Sequence, residues 1–352
     1  MQTVKDVLNR IGGHADTHRL PGPDYRRPAD DASRPRVGLA VESMRRHMTD
    51  EGWQIFAGLW HNGWHLCGHG LPDAETNVRR IIERMSPGVV LLQDKREWDL
   101  APGDFRETAA YFHEVHALAE RPDVFKLTIL KDAQSRPAWH ARSAEEIGCH
   151  AWIVYYHPDV VRALNPALRP EHVIRTYHSV DADVVPAYTA NRAGCLLSGA
   201  VSRAYPLRWR LWLAADQLPE TQTLGHPGYH RNGSATPDFL RRLAQFKVAI
   251  CTASLYGYAL RKLIEATACG CVVVTDLPSD EVLPEIDGNL VRVHPDQPTS
   301  EVADVIRAAL ASYDPERQAC YARAARAWYD YRAVTSRLDA DIESMRARYV
   351  PA

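Results

Sequence analysis

The segment Tyr256–Asp276 carries the residue types best suited to chemistry, in the order YGYALRKLIEATACGCVVVTD. A glycine-marked loop leads into a predicted helix, Gly270 ends that helix, and an apolar strand follows. Arg261 and Lys262 lie at the helix start, where free backbone N–H groups and the positive end of the helix favour an anion such as phosphate. One to two turns further on, the Glu265 carboxylate can accept hydrogen bonds from sugar hydroxyls. Together these features predict a site for a nucleotide sugar.

A second turn with similar chemistry follows the apolar run that ends in Ser198-Gly199-Ala200. A glycine there permits close approach to the backbone, and Arg203 or Arg208 can bind two diphosphate oxygens at once. The alternative interpretation is a tight turn with solvated arginines. Because ligands of open parallel sheets bind beyond the carboxyl ends of strands, we expect this turn and the Lys262 helix to serve one site.

Strands and helices alternate in two series along the 352 residues. The first series runs from a strand at 37–41 to a strand at 172–177, and it includes a strand at 125–130 and a helix at 158–164. The second runs from a strand at 195–200 to one at 289–293, with helices up to 348. Such alternation predicts parallel sheets covered on both faces. Four parts are expected: a leader (1–36), an N-terminal acceptor-side domain (37–185), a C-terminal nucleotide-sugar domain (186–333) and a final helix (334–352), with its return to the N-terminal domain left open.

The segment 256–276 resembles the donor-binding core of the GT-B glycosyltransferases. The resemblance lies in the helix glutamate Glu265, the turn Ala268-Cys269-Gly270 and the Val-Val-Val strand after it. Among these enzymes the chain is similar to the family 4 and spore-maturation-protein-like groups, and the latter share its Arg-x-x-x-Glu helix. The resemblance implies an α/β fold of two Rossmann-like domains facing across a cleft. It also implies that Glu265 holds ribose hydroxyls and that Arg261 or Lys262 neutralises phosphate.

The activity implied by this resemblance is transfer of a glycosyl unit from a nucleotide-diphosphate sugar to an acceptor hydroxyl, with no metal and no other cofactor. The residues expected to contact the donor are Gly199, Arg203, Arg208, Tyr258, Arg261, Lys262 and Glu265. The chain departs from many family 4 enzymes at Gly257, where they carry a second glutamate. Two alternatives stay open: a sugar-nucleotide epimerase of the same fold, and a non-catalytic nucleotide-sugar-binding protein, which Gly257 favours.

Four residues are candidates for the base that an inverting transferase needs on the acceptor side. Asp94 and Asp132 each follow an apolar run predicted as a strand. They are therefore expected at strand ends, although acids at such positions also cap helices. His61 and His65 lie in a segment rich in Gly, His and Trp, at 60–70, which we interpret either as an acceptor-facing loop or as a β-hairpin.

The same segment raises the question of a metal site, because His61, His65 and His69 recur at four-residue intervals beside Cys67. Histidine and cysteine are the usual zinc ligands. The glycines of the segment argue against a helix that would align the three rings, and no carboxylate flanks them. We therefore predict no metal.

Bulk properties describe the setting of the protein. The hydrophobic content of 45%, the charged content of 24% and the net charge of -2 are those of a globular protein with no general attraction to nucleic acid or anionic membranes. A nucleic-acid acceptor stays open, since a local groove would suffice. No apolar run approaches the ~20 residues of a membrane span. Seven scattered cysteines without a C-x-x-C pair predict a cytoplasmic protein.

Overall fold

The computed structural model describes residues 34–40, 51–68, 75–92, 114–130, 141, 145–166, 168–226 and 235–349. They form two compact units. The first unit combines Glu51–Tyr177 with the first strand and the chain from Tyr331 onward, and the second unit spans His178–Asp330. Within the described residues, no helix combines the length and the apolar character needed to cross a membrane.

Each unit is built on one parallel β-sheet. The strands are β1 (Arg36–Leu39), β2 (His65–Cys67), β3 (Val89–Leu92), β4 (Phe125–Leu130), β5 (Ala151–Val154), β6 (Val173–Arg175), β7 (Cys195–Gly199), β8 (Thr221–Gly225), β9 (Val248–Ile250), β10 (Val272–Thr275) and β11 (Leu290–Arg292). In the first unit the sheet order is β2-β1-β3-β4-β5-β6, and in the second it is β11-β10-β9-β7-β8. Every residue of β3, β5, β7 and β9 is buried, as in sheets covered by helices on either side.

Helices connect the strands in both units. Short 3-10 helices lie at Val115–Glu120, Pro170–His172, Ala215–Gln217 and Asp287–Asn289. The α-helices are α1 (Glu51–His61), α2 (Val78–Met85), α3 (Pro158–Leu164), α4 (Pro206–Leu213), α5 (Ala235–Leu243), α6 (Arg261–Ala268), α7 (Thr299–Ala311), α8 (Pro315–Trp328) and α9 (Tyr331–Tyr349).

The last helix, α9, packs against α1 within the first unit. Gly58 allows the close approach of the two helices, because a Cβ at this position would overlap the Thr335 side chain. Further along α9, the Asp339 carboxylate accepts hydrogen bonds from Arg36 at 2.9 Å and from Trp64 Nε1 at 2.8 Å. These hydrogen bonds join α9 to β1 and to the residue directly before β2.

The segment 60–70 differs from both structures expected for it. His61 ends α1, a turn follows, and His65 begins β2, which pairs in parallel with β1. The expected loop and the alternative hairpin are therefore both wrong for the described part of the segment. Gly58 lies inside the helix at a helix–helix contact, and Gly63, with φ +92°, lies in the turn after it, so His61 and His65 do not share one helix.

The second unit has a topological switch point between β7 and β9. From β7 the chain passes to β8 on one side, then crosses to β9 and β10 on the other. Right-handed crossovers place α4 on one face of this sheet and α5 and α6 on the opposite face. In accordance with this, Leu207 and Leu211 of α4 share a core cluster with Ile306 of α7. A sheet of this kind binds ligands beyond the carboxyl ends of the two strands at its switch point.

Candidate functional site

Two cationic side chains converge on Gly199, at the carboxyl end of β7. Gly199 has φ +118°, and a Cβ built on it would lie 2.5 Å from Lys262 Nζ and 2.7 Å from an Arg208 terminal nitrogen. Arg208 comes from α4 and Lys262 from α6. Two helices on opposite faces of the sheet thus direct positive charge to one glycine at the switch point. Such an arrangement suits an anion that closely approaches the backbone.

Arg208 is fixed in place by the ends of both switch-point strands. Its side chain is 2% exposed and donates hydrogen bonds to the Ala200 carbonyl at 3.1 Å and the Thr252 carbonyl at 3.2 Å. The guanidinium also lies 4.2 Å from the centre of the Tyr205 ring, a cation–π distance. Its positive charge is therefore preorganised before any ligand arrives.

Lys262 is held less tightly than Arg208. Its ammonium lies 5.2 Å from the centre of the Phe239 ring of α5, and the described residues offer it no hydrogen bond or ion pair. Burial, followed by the nearby charge of Arg208, lowers the pKa of Lys262 to about 8. An incoming anion would stabilise the protonated form. Lys262 thus has donor capacity left for a ligand.

Arg261, the neighbour of Lys262 in sequence, forms an ion pair with Glu265 one turn later. Arg261 Nε lies 3.1 Å from Glu265 Oε1, and both side chains are 7% exposed. Successive helix residues point about 100° apart, which is why Arg261 and Lys262 have different partners. The sequence allowed either residue to meet phosphate, and the geometry favours Lys262.

The remaining predicted donor residues are placed as follows. Tyr258 is buried, and its ring lies 5.6 Å from that of Tyr256 just before α6. Arg203 is exposed in the turn between β7 and α4. Gly257 has φ +68°, and a Cβ there would lie 3.1 Å from the Pro278 ring. A glutamate at Gly257 would therefore be strained by the backbone and crowded by Pro278.

Two further residues at this edge, Asp276 and His226, are not among the predicted donor contacts. The Asp276 carboxylate, directly after β10, accepts a hydrogen bond from the Ala253 N–H at 2.6 Å and so anchors the loop before α6. Burial raises the pKa of Asp276. His226, directly after β8, is within electrostatic reach of Lys262 and Arg208. The strand-end rule that selected Gly199 would also have selected both.

The two glycines that end β7 and β8 should respond differently to substitution. They are paired in the sheet register, Gly199 with Gly225. Among the described residues, a Cβ on Gly225 meets nothing within 4 Å, whereas alanine at Gly199 is strained by its φ of +118° and meets two cations. We expect Gly199→Ala to lower the free energy of unfolding by about 1–3 kcal/mol and Gly225→Ala to change it by less than about 0.5 kcal/mol. Urea denaturation of both variants measures this, and equal stabilities would contradict the local geometry.

Of the four candidate bases, the structure describes His61 and His65, which belong to the first unit. His61, exposed at the end of α1, and His65, buried at the start of β2, lie at the amino ends of the strands. Ligands of such sheets bind at the opposite edge, so we do not carry these histidines into the proposed mechanism. Asp94 and Asp132 lie outside the described residues, and their assignment stays a prediction.

The metal option for the segment 60–70 gains no support from the part of it that the structure describes. There, His61 and His65 are separated by a turn and belong to different elements. Nowhere in the described ranges do three His, Cys, Asp or Glu side chains gather as metal ligands would. His69 lies outside those ranges.

Comparison with known proteins identifies the fold. No protein-family model matches the sequence, and no curated protein matches it either. Among solved structures, a glycosyltransferase from Rickettsia africae is similar over 89% of this chain and 98% of its own, with a TM-score of 0.53 and 10% identity. Sucrose-phosphate synthase from Thermosynechococcus elongatus is similar over 90% of this chain and 100% of its own, with a TM-score of 0.54 and 10% identity.

A third similar structure is AviGT4, a glycosyltransferase involved in avilamycin A biosynthesis. It matches 90% of this chain and 99% of its own, with a TM-score of 0.51 and 12% identity. At such identities the similarity concerns the fold alone. The chain has the α/β fold of these glycosyltransferases, with two parallel sheets, and the fold class predicted from the sequence is confirmed.

Proposed function

We propose that the protein is a glycosyltransferase that moves a sugar from a nucleotide-diphosphate sugar to an acceptor hydroxyl. The observation that carries the proposal is the convergence of Arg208 and Lys262 on Gly199 at the switch point of the second sheet. This is where an open α/β sheet binds its ligand, and two cations suit the two charges of a diphosphate diester. The three similar structures, each named as a glycosyltransferase or a sucrose-phosphate synthase, support the same reading.

The diphosphate would lie against Gly199, with Lys262 as its mobile partner and Arg208 as a fixed positive charge. Breaking the bond from the sugar to the diphosphate leaves an additional negative charge on the departing nucleotide. Cations already in position stabilise that charge at the transition state without reorganisation. Because they can do so alone, we propose that transfer needs no metal, which predicts that a chelator leaves the rate unchanged.

Glu265 is proposed to accept hydrogen bonds from the ribose hydroxyls. In the ion pair, Arg261 Nε lies 3.1 Å from Glu265 Oε1, and a carboxylate can accept hydrogen bonds from several donors at once because it has about four lone-pair sites. Arg261 would then be a positioning residue, since it orients the carboxylate and compensates its buried charge. Tyr258 and the loop anchored by Asp276 would border the same ligand.

The acceptor hydroxyl must lose a proton during transfer. Asp94 and Asp132 follow β3 and β4 in the sequence. Either is suitably placed in the chain to act as the base.

We also propose that the chain belongs to the family 4 or spore-maturation-protein-like group and that the protein is cytoplasmic. The location is supported by the fact that all seven cysteines are free thiols.

The proposal is tested first by binding. Calorimetry with UDP, GDP, dTDP and CDP and their sugars should identify a ligand for the wild-type protein. Lys262→Ala should weaken its affinity by about tenfold to a hundredfold, the value of a charged hydrogen bond of about 1.5–3 kcal/mol. The matched control is Lys247→Ala. Lys247 directly precedes β9, at the opposite edge of the sheet, and its ammonium lies over the Tyr313 ring. Its affinity should equal that of the wild type.

Binding alone does not separate a transferase from the two alternatives. Slow hydrolysis of the bound donor to nucleotide diphosphate and free sugar would support transfer chemistry and count against a non-catalytic binding protein. Exchange of solvent isotope into C2 of the sugar would instead identify an epimerase. If the wild-type protein bound none of the nucleotides or nucleotide sugars, the proposed function would be wrong.

A further inference from the structure

Each of the two cations at the proposed donor site lies over an aromatic ring. Arg208 lies 4.2 Å from the centre of the Tyr205 ring, and the Lys262 ammonium lies 5.2 Å from the centre of the Phe239 ring. Both distances are within the roughly 6 Å over which a ring face attracts a cation. Arg208 also donates to two carbonyls, whereas Lys262 has no hydrogen bond or ion pair to any side chain or carbonyl that the structure describes. The Phe239 ring is therefore the attractive contact that the described structure gives this ammonium.

The backbone of Lys262 and the helix that carries Phe239 are both fixed. The Cys251 thiol, directly after β9, donates to the Lys262 carbonyl at 3.4 Å. α5 lies alongside α6, because the Cys269 thiol at the end of α6 donates to the Leu240 carbonyl of α5 at 3.5 Å. Leu240 is buried, whereas the neighbouring Phe239 is half-buried. The ring therefore lies at a fixed point on the flank of α5, next to the start of α6.

An aromatic ring suits a cation that has to bind phosphate. It attracts positive charge through its quadrupole, but it neither neutralises that charge nor offers an oxygen lone pair to the N–H donors. Glu265, in contrast, compensates the charge of Arg261 in an ion pair. The Lys262 ammonium thus keeps its charge and its three donors, and it lies 2.5 Å from where a Cβ on Gly199 would be.

The ring also opposes the loss of a proton from Lys262. Burial, then the positive charge of Arg208, lowers the pKa of Lys262 to about 8, while Cys251 and Glu265 act in the opposite direction. His226, directly after β8, is a further titratable group within electrostatic reach. Without the attraction of the ring, the neutral amine would be favoured, and a neutral amine cannot form an ion pair with phosphate.

We propose that Phe239 is a positioning residue for donor binding, and that its ring holds the protonated Lys262 at Gly199, where a phosphate oxygen would bind. This inference rests on the proposed function for the identity of the anion, but the contact between the ring and the ammonium needs no ligand. The role is electrostatic, so it requires an aromatic face and not only an apolar side chain. Leucine at this position keeps an apolar side chain without a ring, and tyrosine keeps the ring.

The first test is NMR of the protein with ¹³C-labelled lysine, in which Lys262 is assigned by its absence in Lys262→Arg. In the wild type, the Phe239 ring should shift the ε-CH2 protons of Lys262 upfield, and a pH titration of this resonance gives the pKa. In Phe239→Leu the upfield shift should be lost and the pKa of Lys262 should fall, whereas Phe239→Tyr should retain both. Lys247, whose ammonium lies 5.7 Å from the centre of the Tyr313 ring, should be unchanged in all three proteins.

The second test is the affinity for the nucleotide sugar that binds best in the screen above, measured at pH 7 and pH 9. Phe239→Leu should bind about two- to tenfold more weakly at pH 7, the value of a cation–π contact. The factor should be larger at pH 9, where more of Lys262 is neutral, and Phe239→Tyr should bind as the wild type does. The matched control is Tyr321→Leu, which removes the ring 5.6 Å from Arg317 on α8 and should leave affinity unchanged at both pH values.

The outcomes separate this inference from the proposed function. If Phe239→Leu left the resonance and the pKa of Lys262 unchanged, the ring would not hold the ammonium and the inference would be wrong. It would also be wrong if the resonance moved but affinity did not change, or if Phe239→Tyr bound as weakly as Phe239→Leu. If the NMR results were as expected but the wild type bound no nucleotide sugar, the proposed function would fail, and the role in donor binding with it.

Discussion

Glu265→Ala is expected to destabilise the protein by about 3–5 kcal/mol, the usual effect of removing one partner of a buried ion pair. The variant leaves the Arg261 guanidinium in a site where its side chain is only 7% exposed and where Glu265 Oε1 lies 3.1 Å away in the native protein. The same substitution should weaken nucleotide binding by about 1.5–3 kcal/mol, because the ribose hydroxyls lose a charged acceptor. Urea denaturation measures the first effect and calorimetry the second.

A double variant separates the two roles of Glu265. Arg261→Met with Glu265→Leu removes both charges and keeps the volume, and buried ion pairs replaced in this way often lose little or no stability. It should therefore recover most of the stability while nucleotide affinity stays low. If affinity returned together with stability, Glu265 would have only a structural role. If Glu265→Ala were as stable as the wild type, the ion pair would not matter.

An exposed ion pair on a helix of the same unit serves as the control. Asp238 and Arg241 of α5 form an ion pair with side chains 65% and 51% exposed. Pairs of this kind contribute about 0–1 kcal/mol. Asp238→Ala should accordingly have a small effect on stability and none on nucleotide affinity.

The strands and helices were predictable where the local pattern was unambiguous. The strand Phe125–Leu130 and the helix Pro158–Leu164 have the predicted bounds. The former has the β-branched residues Thr128 and Ile129 between two leucines, and the latter begins with Pro at its first position, where a missing N–H costs nothing. Both signals lie within the segment itself, so they can be recognised without knowing what the segment packs against.

The helix α1 shows where the local pattern is insufficient. Residues 52–60 are all buried, so the helix has no polar face and its sequence has no amphipathic period. Such a segment cannot be assigned from periodicity alone. Its glycine at 58 looks like a helix breaker, and only the presence of Thr335 from the far end of the chain explains it.

The location of the candidate site followed from strand ends, but the partner of each side chain did not. Lys262 and Arg261 are adjacent and equally charged, and only packing decides that one meets Gly199 and the other Glu265. Arg203 and Arg208 were equivalent in the sequence, yet one is exposed and the other is 2% exposed between two strand ends. Lys262 and Gly199 are 63 positions apart, and Arg208 is 44 positions from Thr252, so a local motif does not contain these contacts.

Stability should fall as the pH is lowered from about 6.5 to about 4, and His150 should account for part of the loss. Its Nδ1 accepts a hydrogen bond from the Lys126 backbone N–H at 3.1 Å, which requires that nitrogen to be unprotonated. The ring packs between Phe125, at 5.3 Å, and Tyr349 of α9, at 6.2 Å. Burial, followed by the charges of Lys126 and His172, lowers the pKa of His150 from 6.5 to about 4.

The sign follows from proton binding. Between pH 6.5 and pH 4 the unfolded chain binds a proton at His150 that the folded protein does not, so acid favours unfolding. The contribution is fully present above pH 6.5, decreases through this window and is constant below pH 4. A pKa shift of this size corresponds to about 2–3 kcal/mol after allowance for the partial exposure of the ring.

His150→Asn isolates this contribution from that of the carboxyl groups, which also titrate in acid. The asparagine Oδ1 can replace Nδ1 as the acceptor for Lys126 but does not titrate. Urea denaturation at pH 7 and pH 4.5 should show a smaller acid loss in His150→Asn than in the wild type. His157→Asn is the control, since its Nδ1 also accepts a backbone N–H, from Asp159 at 3.3 Å, but its side chain is 36% exposed. If the wild type and His150→Asn lost the same free energy of unfolding between pH 7 and pH 4.5, protonation of His150 would not contribute to the acid sensitivity of the protein.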